Sequence, residues 1–347
     1  MARVDELIEF LRGHASLDVV CHDNPDPDSL ASAAALKWIA ENVGVPNVRI
    51  LYGGQISHQQ NLAMVQQFGL ELVPVTSTTV ADTDLVAFVD HAIPGEHSQL
   101  PPGTDVDIVV DHHQYEAPVH ATFVDLRPHF GATSTIVTEY LTEVTYPPPV
   151  HLASMLLFAL HRERLDHVRN PTHFEYEAAT LLQRHACQSM INKLYGAQFS
   201  PATINAVGDA IRNRRIRDRS LVSWVGRIVE RDALPQAANI LINLKGVDTD
   251  LVYGLVDGEI HLSARSQDPA IQLGRVVREV VGRHGSAGGH EDMAGGVIPV
   301  EPSIAGERDR GTLDEAYVEP IAERYFYAVG ANDRSRPGSR DSRRPVV

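Results

Sequence analysis

Four short apolar runs, 17–21 (LDVVC), 48–52 (VRILY), 85–89 (LVAFV) and 106–110 (VDIVV), set the strongest constraint on what this chain can fold into. Each is rich in β-branched residues and bounded by turn formers, and runs with so little polar alternation read as strands buried on both faces, as in a parallel sheet. Between them the apolar residues take a helical period, most clearly over 29–42 (SLASAAALKWIAEN), which opens after Asp and Ser acceptors and closes at Gly44. The alternation β-α-β-α implies an α/β fold with a doubly wound parallel sheet. Helical patterns at 133–145, 150–163 and 172–195, the first two separated by Pro147-Pro148-Pro149, complete a first domain over 1–195.

Residues 196–219 read as a helical connector whose Arg212-to-Arg219 cluster is a solvated face. The pattern then restarts with a strand at 220–226, a helix at 233–246, strands at 249–256 and 259–265, a helix at 270–283 and a Gly-rich turn. These make a second, smaller α/β domain over 220–331, and the Arg/Ser/Asp/Pro-rich stretch 332–347 is expected to be a disordered tail. At 347 residues, 43% of them apolar, the chain has material for two buried cores.

Composition removes several function classes. No apolar run approaches the ~20 residues that span a bilayer, and the charged amphipathic N-terminus lacks a signal-peptide core, so no membrane partner and a cytoplasmic location are expected. Cys21 and Cys187 are the only cysteines, too few for a thiolate metal site, so any metal must be held by His and carboxylates. A formal charge of −15 argues against a broad duplex-DNA face. With 45 acids and only three lysines among 30 basic residues, the chain fits a salt-loving source or a GC-rich genome equally well.

The chemistry-bearing residues fall at strand ends. LDVVC runs into His22-Asp23-Asn24-Pro25-Asp26-Pro27-Asp28, LVAFV into Asp90-His91, and VDIVV into Asp111-His112-His113. Ligands of open α/β sheets bind beyond the carboxyl ends of the strands, so the three clusters should converge on one crevice. Converging carboxylates repel unless cations lie between them, and a mixed imidazole and carboxylate donor set suits Mn²⁺, Mg²⁺, Fe²⁺ or Co²⁺. Such a site commonly holds two ions ~3.5–4 Å apart and activates water for in-line attack on phosphorus. Each cluster alone also has an ordinary reading: Asp-Pro-Asp-Ser is a turn plus N-cap, and Asp after a strand forms loops.

These residues resemble the motifs of the DHH phosphoesterases. HDNPDPDS is similar to the family's first motif, Asp90 to its second, and Asp111-His112-His113 to the motif that names it. The resemblance implies that His22, Asp26 and Asp90 hold one divalent cation and that Asp28, His112 and Asp166 hold another. Asp90 would bridge, and His113 would face the substrate phosphate, with His113 and Asp111 as the catalytic pair. Asp166, followed by His167 where the family has Thr, is the departure from the pattern. Two cations, Mn²⁺ first with Mg²⁺ or Co²⁺ as alternatives, are the implied cofactors.

The second half extends the resemblance. HGSAGGHEDMAGGVIP is similar to the Gly-Gly-Gly-His motif of the family's associated DHHA1 domain, with Ala287 in place of the first Gly, and Ser263-Ala264-Arg265-Ser266 is similar to its Ser-x-Arg-Ser element. By that likeness Ser263, Arg265, Gly288, Gly289 and His290 would bind the nucleotide. Gly53-Gly54 and His58 lie at the same sheet edge as the metals, and the start of the helix at 131–135 has free amides that a phosphate or a plain N-cap would use. Cys21 is read as packing in the strand end.

The resemblance implies a metal-dependent phosphodiesterase acting on short oligonucleotides, linear or cyclic dinucleotides, or phosphoadenosine phosphate. The two-domain plan also occurs in pyrophosphatases, but the near absence of lysine disfavours a clamp for a compact inorganic ion. A non-catalytic nucleotide sensor or replication-associated scaffold is the alternative from another class. A short nucleotide is the expected partner, and a homodimer is left open.

Overall fold

The computed structural model describes residues 3–75, 80, 82–95, 98–144, 147–165, 171–289, 291–300 and 315–334. Two compact units divide the chain, Met1–Gln198 and Phe199–Val347. The first opens on helix α1 (Arg3–Leu11) and carries strands β1 (Ser16–Val20), β2 (Asn47–Tyr52), β3 (Leu72–Pro74), β4 (Leu85–Val89), β5 (Ile108–Asp111) and β6 (Phe123–Leu126). They form one sheet, all neighbours parallel, in the order β3-β2-β1-β4-β5-β6. This is the doubly wound order, and the direction of winding reverses between β1 and β4.

Helices α2 (Pro27–Asn42), α3 (Gln59–Phe68), α4 (Thr133–Glu143), α5 (Val150–Leu160), α6 (His173–Gln183) and α7 (Gln188–Tyr195) complete this unit. Leu17 and Val19 of β1 pack with Leu30, Leu36 and Ile39 of α2 and with the fully buried stretch of α5 in one large core. Val20, Phe88 and Val109 face the other way, onto Ala92 and Leu100 and the partly buried Tyr115 and Val119. Loops after β4 and β5 therefore cover that face where a helix would normally do so. Helix α2 can be small-sided and buried nearly all round because its Ala-rich sequence has no bulky polar face to expose. Pro27 at its first turn and Asp26 as N-cap set its start.

The second unit contains α8 (Pro201–Arg212), β7 (Arg215–Arg217), β8 (Ser220–Arg227), α9 (Ala233–Leu241), β9 (Thr249–Val256), β10 (Glu259–Ser266), α10 (Leu273–Val281), β11 (Ser286–Gly289), β12 (Met293–Pro299) and α11 (Glu315–Arg334). Its sheet runs β11-β12-β10-β9-β8-β7, mixed, with β8 and β9 parallel and the other pairs antiparallel. One face packs against α10 and α11, the other against α8 and α9.

Three expectations change. Residues from 199 onward belong to the second unit, so 196–219 is not a free connector: the stretch read as helical to 219 stops at Arg212, and β7 then joins the sheet edge. The period-2 geometry of β7 puts Arg215 and Arg217 on one side, where they pair with Glu319 and Glu323 of α11. The Gly-rich turn is a hairpin, β11 against β12. Finally, α11 continues to Arg334, past the expected boundary at 331, and residues 335–347 lie outside the described ones.

Candidate metal centre

The reversal point between β1 and β4 is where the two inner motifs leave the sheet. His22 follows β1 and Asp90 follows β4, while Asp111 ends β5 next door. Asp90 and Asn24 hold positive φ, 64° and 57°, a left-handed backbone that Asp and Asn tolerate better than other side-chain-bearing residues. A side chain on Gly53 would meet Asp23 Oδ1 at 1.8 Å, so the glycine lets the loops after β1 and β2 close on each other.

Two clusters of possible ligand atoms result, His22 with Asp26 and Asp90, and Asp90 with Asp111, His112 and His113. Asp90 belongs to both. Its Oδ2 lies 3.5 Å from His22 Nε2 and its Oδ1 3.6 Å from His112 Nε2, while His22 Nε2 is 3.8 Å from Asp26 Oδ1. These gaps exceed a hydrogen bond and suit two atoms sharing one ion at about 2.0–2.2 Å from each.

The imidazoles are aimed by their other nitrogen. His22 Nδ1 meets the Asp23 carbonyl at 2.9 Å and His112 Nδ1 the Phe130 carbonyl at 3.3 Å, so each turns Nε2 toward Asp90, the usual arrangement of a metal-ligating histidine. His113 differs. Its Nδ1 is 2.8 Å from Asp111 Oδ1, and its side chain is partly open to solvent. Asp111 itself is buried, accepts from the amides of His112 and His113, and takes the Tyr115 hydroxyl on Oδ2.

Electrostatics show the same demand for positive charge. Among the described residues, the ion pairs of Asp26, Asp90 and Asp111 are all with imidazoles. Burial would lower the His22 pKa, but Asp26 and Asp90 outweigh it and hold it well above the ordinary histidine range. His113, likewise desolvated, is pushed up to about 9 by Asp111 and Asp90. Asp26 and Asp111 are each brought down to about 2: burial opposes this, and His22 for the first and His113 for the second prevail. Asp28 goes the other way, raised well above its ordinary value by burial and then by Asp90, Asp26 and Glu163. A site that gathers protons onto its histidines and a carboxyl in this way is suited to divalent cations.

The expected residues fare unevenly. His22, Asp26, Asp90, Asp111, His112 and His113 are brought together. Asp28 is close to them but outside both clusters: its two oxygens accept 2.8 Å bonds from the amides of Thr133 and Ser134, capping α4. At the helix start expected at 131–135, the Thr133 and Ser134 amides thus go to this carboxylate and the Gly131 amide to Glu175 Oε1. Asp166 and His167 lie outside the described residues. Glu163, overlooked in the sequence, sits in a π-helical turn (His161–Leu165) that continues α5, near enough to raise Asp28. Its signal was charge directly after the buried, almost wholly apolar stretch 152–160 of α5, in a segment where a search for Asp alone passed over Glu. Thr133 and Tyr115 are further missed residues, because only the fold brings them to Asp90 and Asp111.

His91 is buried, stacked on Phe88 and brought down to about 4 by desolvation, and His58 caps α3. Cys21 is buried with its thiol pushed up to about 12, mainly by that burial, which makes it inert. In the second unit Ser263 and Arg265 share the polar face of β10, opposite Ile260, Leu262 and Ala264 in the core. Gly288 and Gly289 lie on β11; a side chain on Gly289 would strike Ala294 Cα at 2.4 Å, so strand packing already requires that glycine. His290 lies outside the described residues.

The N-terminal domain of the DHH family matches residues 17–160, and the DHHA1 domain matches residues 218–308. The chain belongs to the DHH family, in the arrangement that carries a DHHA1 domain. It is 33% identical over 324 residues to MJ1633, an uncharacterized protein of Methanocaldococcus jannaschii, covering 93% of this chain and 66% of that one. The chain thus spans just under two thirds of that relative's length. A probable manganese-dependent inorganic pyrophosphatase of Lactobacillus acidophilus is 27% identical over 145 residues, 42% of this chain and 46% of that protein. The crystal structure of an exopolyphosphatase-related protein from Bacteroides fragilis superposes with a TM-score of 0.70 at 14% identity, covering 95% of this chain and 97% of that one, a likeness of fold. Among the described residues no helix is long and apolar enough to cross a membrane.

Proposed function

We propose that the protein is a metal-dependent phosphodiesterase that hydrolyses short oligonucleotides or small nucleotides, using two divalent cations, Mn²⁺ foremost. The observation that carries this reading is Asp90, whose two oxygens face imidazoles from two different motifs at 3.5 and 3.6 Å. His22, Asp26 and Asp90 would hold one cation; Asp90 and His112 would hold the other, with Asp28 and Glu163 as its acidic surroundings. When bound, the cations supply Lewis acidity that polarises a phosphoryl oxygen and lowers the pKa of water.

The remaining steps fall to the chain's own groups. His113, protonated at neutral pH through Asp111, presents its far nitrogen to the anionic oxygens as charge builds in the transition state. Asp111 keeps that ring oriented and is itself fixed by two amides and Tyr115. In the second unit Arg265 and Ser263 offer a guanidinium and a hydroxyl, the donors that phosphate recognition uses. Nucleotide is favoured over pyrophosphate as substrate because the donor-bearing β10 face offers no lysine.

The test is chromatography of products after incubation with Mn²⁺ and, in turn, a dinucleotide, a cyclic dinucleotide, phosphoadenosine phosphate, a longer RNA and pyrophosphate. Mononucleotides from short or cyclic substrates with wild type and none with Asp90→Asn are the expected result. Product from pyrophosphate alone would overturn the nucleotide reading, and no product from any substrate would favour a sensor or scaffold.

A further inference from the structure

Resting on the reading that Arg265 binds substrate phosphate, we infer that Asn239 on α9 is a positioning residue that holds the Arg265 guanidinium in its binding orientation. Asn239 Oδ1 accepts a 2.7 Å hydrogen bond from Arg265 Nε. Arg265 Nη1 donates to Ser263 Oγ at 3.1 Å and to the Ala264 carbonyl at 2.9 Å. At least three of the five guanidinium donors are therefore committed to protein acceptors, on two different elements. An arginine on a sheet surface otherwise samples many rotamers, and each one frozen on binding costs affinity. Here α9 removes much of that freedom beforehand.

The backbone beneath is fixed as well. Arg265 faces Asp250 across β9 and β10, and its amide donates to Asp250 Oδ1 at 3.1 Å, a carboxyl buried inside the sheet. The orientation also acts on Ser263. Because Oγ accepts from Arg265, the hydroxyl proton is turned away from the guanidinium and can be donated to the same phosphate. Asn239 is exposed, and the side-chain bond to Arg265 is its distinctive contact, so its effect should pass through that arginine.

The experiment is a double-mutant cycle in full-length Asp90→Asn protein, where turnover is blocked. Binding of the 5′-phosphorylated dinucleotide pApA is measured by calorimetry with Mn²⁺ present, and thermal melting checks each variant's fold. Asn239→Leu is expected to weaken binding ~10-fold and Arg265→Ala ~100-fold, while adding Asn239→Leu to Arg265→Ala changes Kd less than about twofold, since the two act as one unit. Faster exchange of the Arg265 Nε–H in NMR spectra of Asn239→Leu is the accompanying signature. Unchanged affinity in Asn239→Leu, or two factors that multiply, overturns the Asn239 assignment while leaving the phosphodiesterase reading in place. Unchanged affinity in Arg265→Ala overturns the role of Arg265, and the assignment falls with it.

Discussion

Thr133 Oγ1 donates a 2.8 Å hydrogen bond to Asp90 Oδ1, the same oxygen that faces His112. The Thr133 amide, meanwhile, binds Asp28 Oδ2. One residue at the first turn of α4 thus touches two of the acids, and a buried donor of this kind sets the carboxylate's orientation more than its charge. Thr133→Val keeps the amide and the shape and removes the hydroxyl. Mn²⁺ affinity, measured by calorimetry, is expected to fall roughly 10-fold, in the range for loss of a ligand's hydrogen-bond partner. Undiminished affinity would show that Asp90 needs no such anchor.

The left-handed backbone at Asp90 separates charge from conformation. Asn tolerates this region, so Asp90→Asn should retain the wild-type melting temperature, or exceed it, while losing at least ~10³-fold in turnover as the shared carboxylate disappears. Asp90→Val carries in addition about 1–2 kcal/mol of backbone strain, because a β-branched side chain crowds the carbonyl at positive φ. Denaturant melts of the two variants check this, with Asp90→Val expected to be the less stable.

How far the sequence could reveal all this depends on the range of the interactions. Strands β1 and β4 were legible because burial on both faces writes itself as β-branched runs, β2 because its apolar Val48, Ile50 and Leu51 stand between turn formers although Asn47 and Arg49 are exposed, and helix α2 because Asp26-Pro27 marks a helix start locally. Convergence of His22, Asp90 and His112 followed from the strand ends alone. By contrast β7 was hidden because three arginine-rich residues look solvated until their partners on α11, about a hundred residues later, are known. Thr133 and Asn239 were illegible for the same reason: each acts on a residue distant in the chain, and no local pattern distinguishes a threonine that caps from one that binds a candidate metal ligand.

Asp18 is another such case, an acid in the middle of an apolar strand. It is 1% exposed and takes both Arg49 Nε and Nη2, at 2.7 and 2.6 Å, from the paired position on β2. Arg49→Met strands that carboxylate and is expected to cost about 3 kcal/mol in urea unfolding. The double variant Asp18→Val with Arg49→Met removes both charges and should recover most of the loss. If Arg49→Met alone is neutral, the pair contributes nothing to stability.

His261 provides a pH test in the second unit. Its Nδ1 is buried without a hydrogen-bond partner among the described residues, and desolvation, followed by the charge of Arg231, lowers its pKa from 6.5 to about 4. As pH falls below 6.5 the unfolded chain takes up this proton before the folded one does, so protons favour unfolding. The stabilising contribution is complete above pH 6.5 and is lost progressively down to pH 4, a difference on the order of 3 kcal/mol at about 1.4 kcal/mol per pH unit. His261→Leu removes both the titration and the unsatisfied nitrogen, and should be as stable as wild type or slightly more so at pH 7.5. Urea unfolding of both proteins at pH 7.5, 6, 5 and 4.2 should therefore show His261→Leu gaining on wild type at each step down. Parallel curves across that range would mean that His261 titrates normally and lies in contact with water.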